Sequence, residues 1–241
     1  MMPTLQPYSR DLPVSYALGL FPALEVLGKT PEKVSRVLLH SKLGAGEGAR
    51  NLIALCDRLQ IRTEEADRAL RRLSGKDNCY AAAVFTKTYQ FPESAENHLV
   101  LVNPMDAGNL GTILRTALGL GYRNIALIRP CADPFEPQVI RASMGAIFSL
   151  RISEYNDFIQ YREENTGRTL YPFMLDGSVP LSEAVQKKQP PFSLVFGNEG
   201  SGLQASFANL GNAVRIEQTE EIDSLNLAVA AALGMYAFRS S

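Results

Sequence analysis

Residues 192–239 read FSLVFGNEGSGLQASFANLGNAVRIEQTEEIDSLNLAVAAALGMYAFR. Phe192–Phe196 is a short apolar run that stops at a glycine, which predicts a buried strand. Gly197, Gly200 and Gly202 follow within one turn, where the absence of a Cβ lets backbone come close to a ligand. Asn198 and Glu199 sit inside that turn with their polar groups toward whatever the loop holds. A second strand is expected over 213–216, then a polar turn, then Ser224 as the N-cap of a last helix. From Leu227 to Phe238 that helix has no charged residue and no polar face. Such a helix is buried on every side or spans a membrane. Its 12 residues fall short of a bilayer, which takes about 20, so burial is expected. Its own domain supplies part of the cover and a second copy of the chain the rest, which predicts a homodimer and no membrane partner.

Working outward, 46% hydrophobic and 20% charged residues over 241 positions are globular values. Cys56, Cys79 and Cys131 are scattered and odd in number, which suits reduced thiols in a cytoplasm. The N-terminus has no signal-peptide pattern, so a cytoplasmic protein is expected. His40 and His98 are the only histidines and no C-x-x-C pair exists, so neither a zinc site nor a His-driven nucleophile is supplied with ligands. No metal is expected. Charge is uneven: residues 1–92 carry +4 and residues 93–241 carry −5. A basic small part suits contact with a polyanion.

Along the first part, helical spacing predicts a helix over 13–28 with a kink at Pro22, a strand over 34–39, a glycine-rich loop over 41–48 and an amphipathic helix over 49–59. Thr63 is the expected cap of a further helix with Glu64 and Glu65 in its first turn. That helix carries Arg68, Arg71 and Arg72, an RNA-facing cluster or a solvated face. A strand over 81–86 closes the unit, and 90–97 reads as a linker. In the second part, strands are expected over 99–102, 124–128, 147–152 and 169–175. Helices are expected after the loop starting at Asn103 and over 136–145, 155–164 and 181–186. The alternation predicts an α/β fold with a mostly parallel sheet and helices on both faces.

Three polar clusters each follow a strand: 103–115, 197–202 and 216–226. Ligands collect beyond the carboxyl ends of strands in such sheets. The first cluster lacks G-x-G-x-x-G spacing and no P-loop exists, so both classical nucleotide signatures are weak. In this order and spacing the clusters resemble the three motifs of the SpoU/TrmH RNA methyltransferases of the SPOUT superfamily. NPMDAGNLGTILRTALGLG is similar to the first, with Asn109 and Arg115 marked. LVFGNEGSGL is similar to the second, with Glu199, and VRIEQTEEIDSLNLAVAAAL to the third, with Ser224, Leu225 and Asn226. The resemblance spans 98–239. Residues 8–90 resemble, more loosely, the ribosomal-protein-like α/β domain that precedes many family members.

The resemblance implies a small RNA substrate-binding domain over 1–92 and a methyltransferase domain over 93–241. The latter would be a Rossmann-like sheet with a C-terminal trefoil knot. It implies S-adenosylmethionine as cofactor, held at Gly197, Ile216 and Leu225 with Asn198 and Gly202 of the glycine loop, and a homodimer acting on rRNA or tRNA. The reaction implied is methyl transfer to a ribose 2′-hydroxyl, with rRNA favoured. Arg115 would grip phosphate through its fork, helped by N–H groups at the helix start. Asn109 and Asn226 would orient ribose and Arg115, and Glu199 and Ser224 would order the loops. A base methyltransferase of the same superfamily and an inactive RNA-binding factor are the alternatives.

Overall fold

The structure, a computed structural model, describes residues 5–239. They form two compact units: the chain up to Thr88 together with Asp133–Ser149, and Tyr89–Ala132 together with the chain from Leu150 onward.

The first unit opens with strand β1 (Val14–Leu18) and helix α1 (Leu20–Lys29), then β2 (Val34–Leu39), α2 (Glu47–Leu59), β3 (Thr63–Glu65), α3 (Asp67–Ser74) and β4 (Ala81–Thr86). Its sheet runs β1-β4-β2-β3. The helix expected over 13–28 is therefore a strand followed by a helix. Val14, Ser15, Tyr16 and Ala17 are all buried, so β1 is covered on both faces and shows no alternation. Without alternation its apolar positions also fit helical spacing. Pro22 is no kink; it lies in the first turn of α1, where a missing N–H is not needed. Thr63 is not a helix cap either. It pairs with Val37 in a parallel ladder, and Glu64 meets Arg36 Nε at 3.2 Å. Helix α3 starts later, at Asp67.

The second unit takes up β5 (His98–Val102), α4 (Ala107–Gly119) and β6 (Asn124–Ile128). The chain then gives α5 (Pro137–Ala142) and a single 3₁₀ turn (Ala146–Ser149) to the first unit. A single cut between 92 and 93 thus misses this return. Ser15 Oγ donates to the Phe135 carbonyl at 2.5 Å, and Phe85 lies 6.4 Å from the Phe135 ring and 5.1 Å from that of Phe148. These contacts bury the returning segment in the first unit's core. The second unit resumes with β7 (Arg151–Tyr155), α6 (Phe158–Glu164), β8 (Thr169–Pro172), β9 (Val179–Pro180), α7 (Leu181–Gln186), β10 (Phe192–Phe196), β11 (Val214–Arg215) and α8 (Leu227–Phe238). The strand expected over 147–152 starts later and runs to Tyr155, so α6 begins at Phe158, with the Asp157 carboxylate accepting from Gln160 N at 2.8 Å.

The five-stranded sheet runs β7-β6-β5-β10-β8 and every pairing in it is parallel. Strands β5, β6 and β10 are buried at every position, which explains their near-continuous apolar sequence. Strand order reverses between β5 and β10, the switch point where open α/β sheets leave a crevice. Helix α8 packs over β10. A Cβ on Gly234 would fall 2.7 Å from the Phe173 ring and 2.8 Å from that of Phe196, so only glycine lets the helix sit so close. Leu227, Ala231, Met235 and Phe238 are buried beneath it, but Val229, Leu233 and Tyr236 remain 49%, 42% and 57% exposed. Within one chain α8 is therefore covered on one side only. Among the described residues no helix is long and apolar enough to cross a membrane.

Candidate active site

A cavity of about 370 Å³ opens beyond the ends of β8 and β10. Phe173, Phe196, Leu203, Val214, Ile216, Leu225 and Leu227 give it apolar walls; among the described residues Asp176 and Glu199 are its acidic lining residues, and no Lys, Arg or His lines it. Close backbone packing shapes it. A Cβ on Gly197 would lie 2.2 Å from the Gly202 carbonyl carbon, one on Gly177 2.6 Å from Val214, and one on Gly211 2.2 Å from the Leu170 oxygen. The segment 211–215 therefore passes tightly beside β8 and the loop that follows it. Gly202 itself has φ +64°, the left-handed region that favours glycine.

The two loops at the switch point are tied by side chains. Asn198 Nδ2 donates to the Asn103 carbonyl at 2.8 Å, while its Oδ1 accepts from Gly200 N at 2.8 Å and Ser201 N at 3.2 Å. Glu199 accepts from Met105 N and Asp106 N, each at 3.1 Å. Asp106 caps α4 by accepting from Asn109 N at 2.6 Å. Glu199 and Asp106 thus take three N–H groups around the start of α4, those of Met105, Asp106 and Asn109, and set two carboxylates where the helix dipole favours an anion.

Gly197, Asn198, Gly202, Ile216 and Leu225 all line the cavity, as do Glu199 and Ser224. Asn109 and Asn226 do not; they meet beside it, with Asn226 Nδ2 donating to Asn109 Oδ1 at 3.1 Å. The cap of α8 is Asn226, whose Oδ1 accepts from Ala228 N at 2.8 Å and Val229 N at 3.4 Å. Ser224 is thus not the cap: the helix begins at Leu227, so Ser224 stands too far ahead to reach its free N–H groups. Arg115 is exposed on the third turn of α4, outside the cavity lining, with no hydrogen bond or ion pair among the described residues. In the first unit, Arg71 Nε meets Asp77 at 2.8 Å and Arg72 Nη2 donates to the Leu5 carbonyl at 2.6 Å, while Arg68 is exposed. Sequence reasoning passed over Asp106 and Asn103. An Asp just before Ala107, with Asn109 three residues on, was a legible cap signal. Among the described residues no three His, Cys, Asp or Glu side chains gather as metal ligands.

Residues 96–236 match the model of the SpoU rRNA Methylase family. An uncharacterized tRNA/rRNA methyltransferase of Synechocystis is 35% identical over 152 residues, 61% of this chain and 54% of that protein. The 23S rRNA (guanosine(2553)-2′-O)-methyltransferase RlmP of Bacillus subtilis is 31% identical over 149 residues, 61% of this chain and 59% of its own. The chain spans little more than half the length of these curated relatives. Among solved structures, the AdoMet-bound rRNA methyltransferase of Sinorhizobium meliloti superposes with a TM-score of 0.75 at 28% identity, covering 94% of this chain and 87% of that one.

Proposed function

Because the chain belongs to the SpoU rRNA methylase family, we propose that it transfers a methyl group from S-adenosylmethionine to a ribose 2′-hydroxyl of structured RNA, rRNA ahead of tRNA. The observation that carries this reading is the charge of the cavity. Its volume of about 370 Å³ is that of a small-molecule site. Its lining has apolar walls and carboxylates but no cation. Such walls suit an adenosine carrying a positive sulfonium and a zwitterionic methionyl end, net charge about +1, over the multiply negative phosphates of a mono- or dinucleotide. The cofactor named for the Sinorhizobium structure and the ribose 2′-O position named for RlmP support the same reading.

When bound, the sulfonium supplies an electrophilic methyl group. In our reading Gly197, Asn198, Gly202, Ile216 and Leu225 hold the cofactor. Glu199, through its bonds to Met105 and Asp106, and Ser224 keep the surrounding loops in place. The Asn109–Asn226 pair orients the ribose at the edge of the cavity. Arg115 acts by charge and by its planar fork on substrate phosphate. No cofactor contact is assigned to it. We further propose that the exposed face of α8 meets a second copy, that the tight passage of 211–215 belongs to a trefoil knot, and that the first unit selects the RNA with Arg68, Arg71 and Arg72.

The test is product analysis. RNA incubated with enzyme and labelled cofactor should resist alkaline cleavage at one position, because a methylated 2′-oxygen cannot attack the adjacent phosphate. Methyl found on a base, with that position still cleaved, points to a base methyltransferase. Arg115→Ala should keep cofactor affinity within about threefold and lose about 10²-fold or more in turnover.

A further inference from the structure

The sheet rim that holds the candidate site is poor in cations. In the four residues that follow each strand of the parallel sheet stand the carboxylates Asp106, Asp157, Asp176 and Glu199, and a single Lys or Arg, Arg129, directly after β6. A polyanionic substrate approaching this rim therefore meets one fixed positive charge in these loops.

That charge is built in. Arg129 Nε donates to Glu154 Oε2 at 2.8 Å and Nη2 to the same oxygen at 2.6 Å, while the Glu154 side chain is only 5% exposed. Tyr89 Oη holds the other Glu154 oxygen at 2.9 Å. The Arg129 backbone is fixed as well. Its N–H donates to the Tyr155 carbonyl at 3.0 Å, and Asn103 Nδ2 donates to its carbonyl at 2.7 Å. Asn103 has φ +54°, a strained setting for a residue with a Cβ. Through its own carbonyl it continues to Asn198 of the cavity loop. The Arg129 side chain nevertheless remains 49% exposed. A carboxylate buried against a half-exposed arginine adds little net stability, because desolvation offsets the attraction. What the arrangement does secure is a fork in fixed orientation with N–H groups left over, the geometry that matches a phosphate.

We propose that Arg129 is a positioning residue through which this rim grips the phosphate backbone of the RNA, an assignment that rests on the RNA methyltransferase reading above. The probe is a fluorescently labelled synthetic RNA hairpin of about 20 base pairs, a length that spans more than one helical turn. Its binding is followed by anisotropy across a salt series. Arg129→Gln should weaken binding about fivefold and flatten the slope of log K against log salt by about 0.7–0.9, one phosphate contact. Arg129→Lys should keep most of the slope. Calorimetric affinity for S-adenosylmethionine should stay within about twofold for both. An unchanged slope in Arg129→Gln overturns the proposal. On wild-type protein, phenylglyoxal modification read by mass spectrometry decides the matter without any variant: the hairpin should shield Arg129, and equal modification with and without it overturns the proposal. Wild-type protein that binds neither hairpin nor S-adenosylmethionine sinks the underlying reading and this assignment with it. Protein that binds both, with an unaltered slope in the variant, sinks the assignment alone.

Discussion

Lowering the pH from 7.5 to 5 should destabilise the second unit by about 2 kcal/mol through one imidazole. His98 is fully buried at the start of β5. Its Nε2 lies 3.0 Å from the Glu93 carbonyl, which only accepts, so Nε2 carries the proton. Nδ1 is then an acceptor, 2.9 Å from Tyr161 Oη. Tyr161 lies 2.7 Å from Ser193 Oγ, and Ser193 accepts from Arg168 Nε at 3.0 Å. Every donor in this chain points the same way, from Arg168 to Glu93. A proton on Nδ1 reverses the Tyr161 hydroxyl and takes from the Ser193 hydrogen its Tyr161 acceptor. Burial, and then the charge of Arg168, hold the His98 pKa down at about 4 from an ordinary 6.5, against the opposing pull of the Glu93 carbonyl and Glu96. The folded value is below the unfolded one, so between them the unfolded chain binds more protons. The stability is full above pH 6.5 and is lost as pH falls toward 4, reaching roughly 3 kcal/mol. Urea unfolding of wild type and His98→Gln at the two pH values isolates the effect, since glutamine keeps one donor and one acceptor and the carboxylates common to both proteins cancel. The difference in stability should shrink by about 2 kcal/mol at pH 5. Parallel pH profiles for the two proteins would refute the reasoning.

Gly197→Ala should lower stability by about 3 kcal/mol in thermal or urea unfolding, because its Cβ meets Gly202 backbone at 2.2 Å. The loss should appear with or without cofactor, so this variant reports on the loop's own packing before it reports on ligand. Glu199→Ala leaves Met105 N and Asp106 N without their acceptor and should lower stability by about 2 kcal/mol. Glu199→Gln, with one carbonyl oxygen, should recover part of it in the same unfolding assay. Leu233→Asp should give a monomer in light scattering, since Leu233 lies on the open apolar face of α8; a variant that stays dimeric would move the interface elsewhere.

Most of the second unit was legible because its strands are buried on both faces and separated by glycine or polar loops. The runs over 124–128 and 192–196 match β6 and β10 to the residue. Two of the misplaced boundaries share one cause. Val14–Leu18 is also buried on both faces, but it runs into α1 with only Gly19 between, so one apolar stretch covers two elements. The Ile147–Ile152 run has the same difficulty, because a 3₁₀ turn and a strand sit end to end within it. Nothing local announces that 133–149 packs in the first unit. That information resides in Phe135 and Phe148 meeting Phe85, partners about 50 or more positions distant in sequence.

The site divides along the same line between local and distant information. Residues whose role is to leave room were readable, because a glycine says so by itself; the cavity lining at Gly197 and Gly202 is of this kind, whereas Ile216 and Leu225 came only from the family resemblance. Residues whose role is to satisfy a distant partner were not. Ser224 looked like a cap because serine is a good one, yet Asn226 holds the position and also reaches Asn109 at 3.1 Å. A serine hydroxyl in its place is too short for both tasks, since its one oxygen would have to serve the helix N–H groups and Asn109 together. The start of α4 looked free for a phosphate because the sequence does not reveal that Glu199, 93 positions later, closes on Asp106. With the Glu199 and Asp106 carboxylates at that end, side chains set back from it are better placed to attract a polyanion. Arg115 on the outer face of α4 and Arg129 directly after β6 are two accessible groups of this kind.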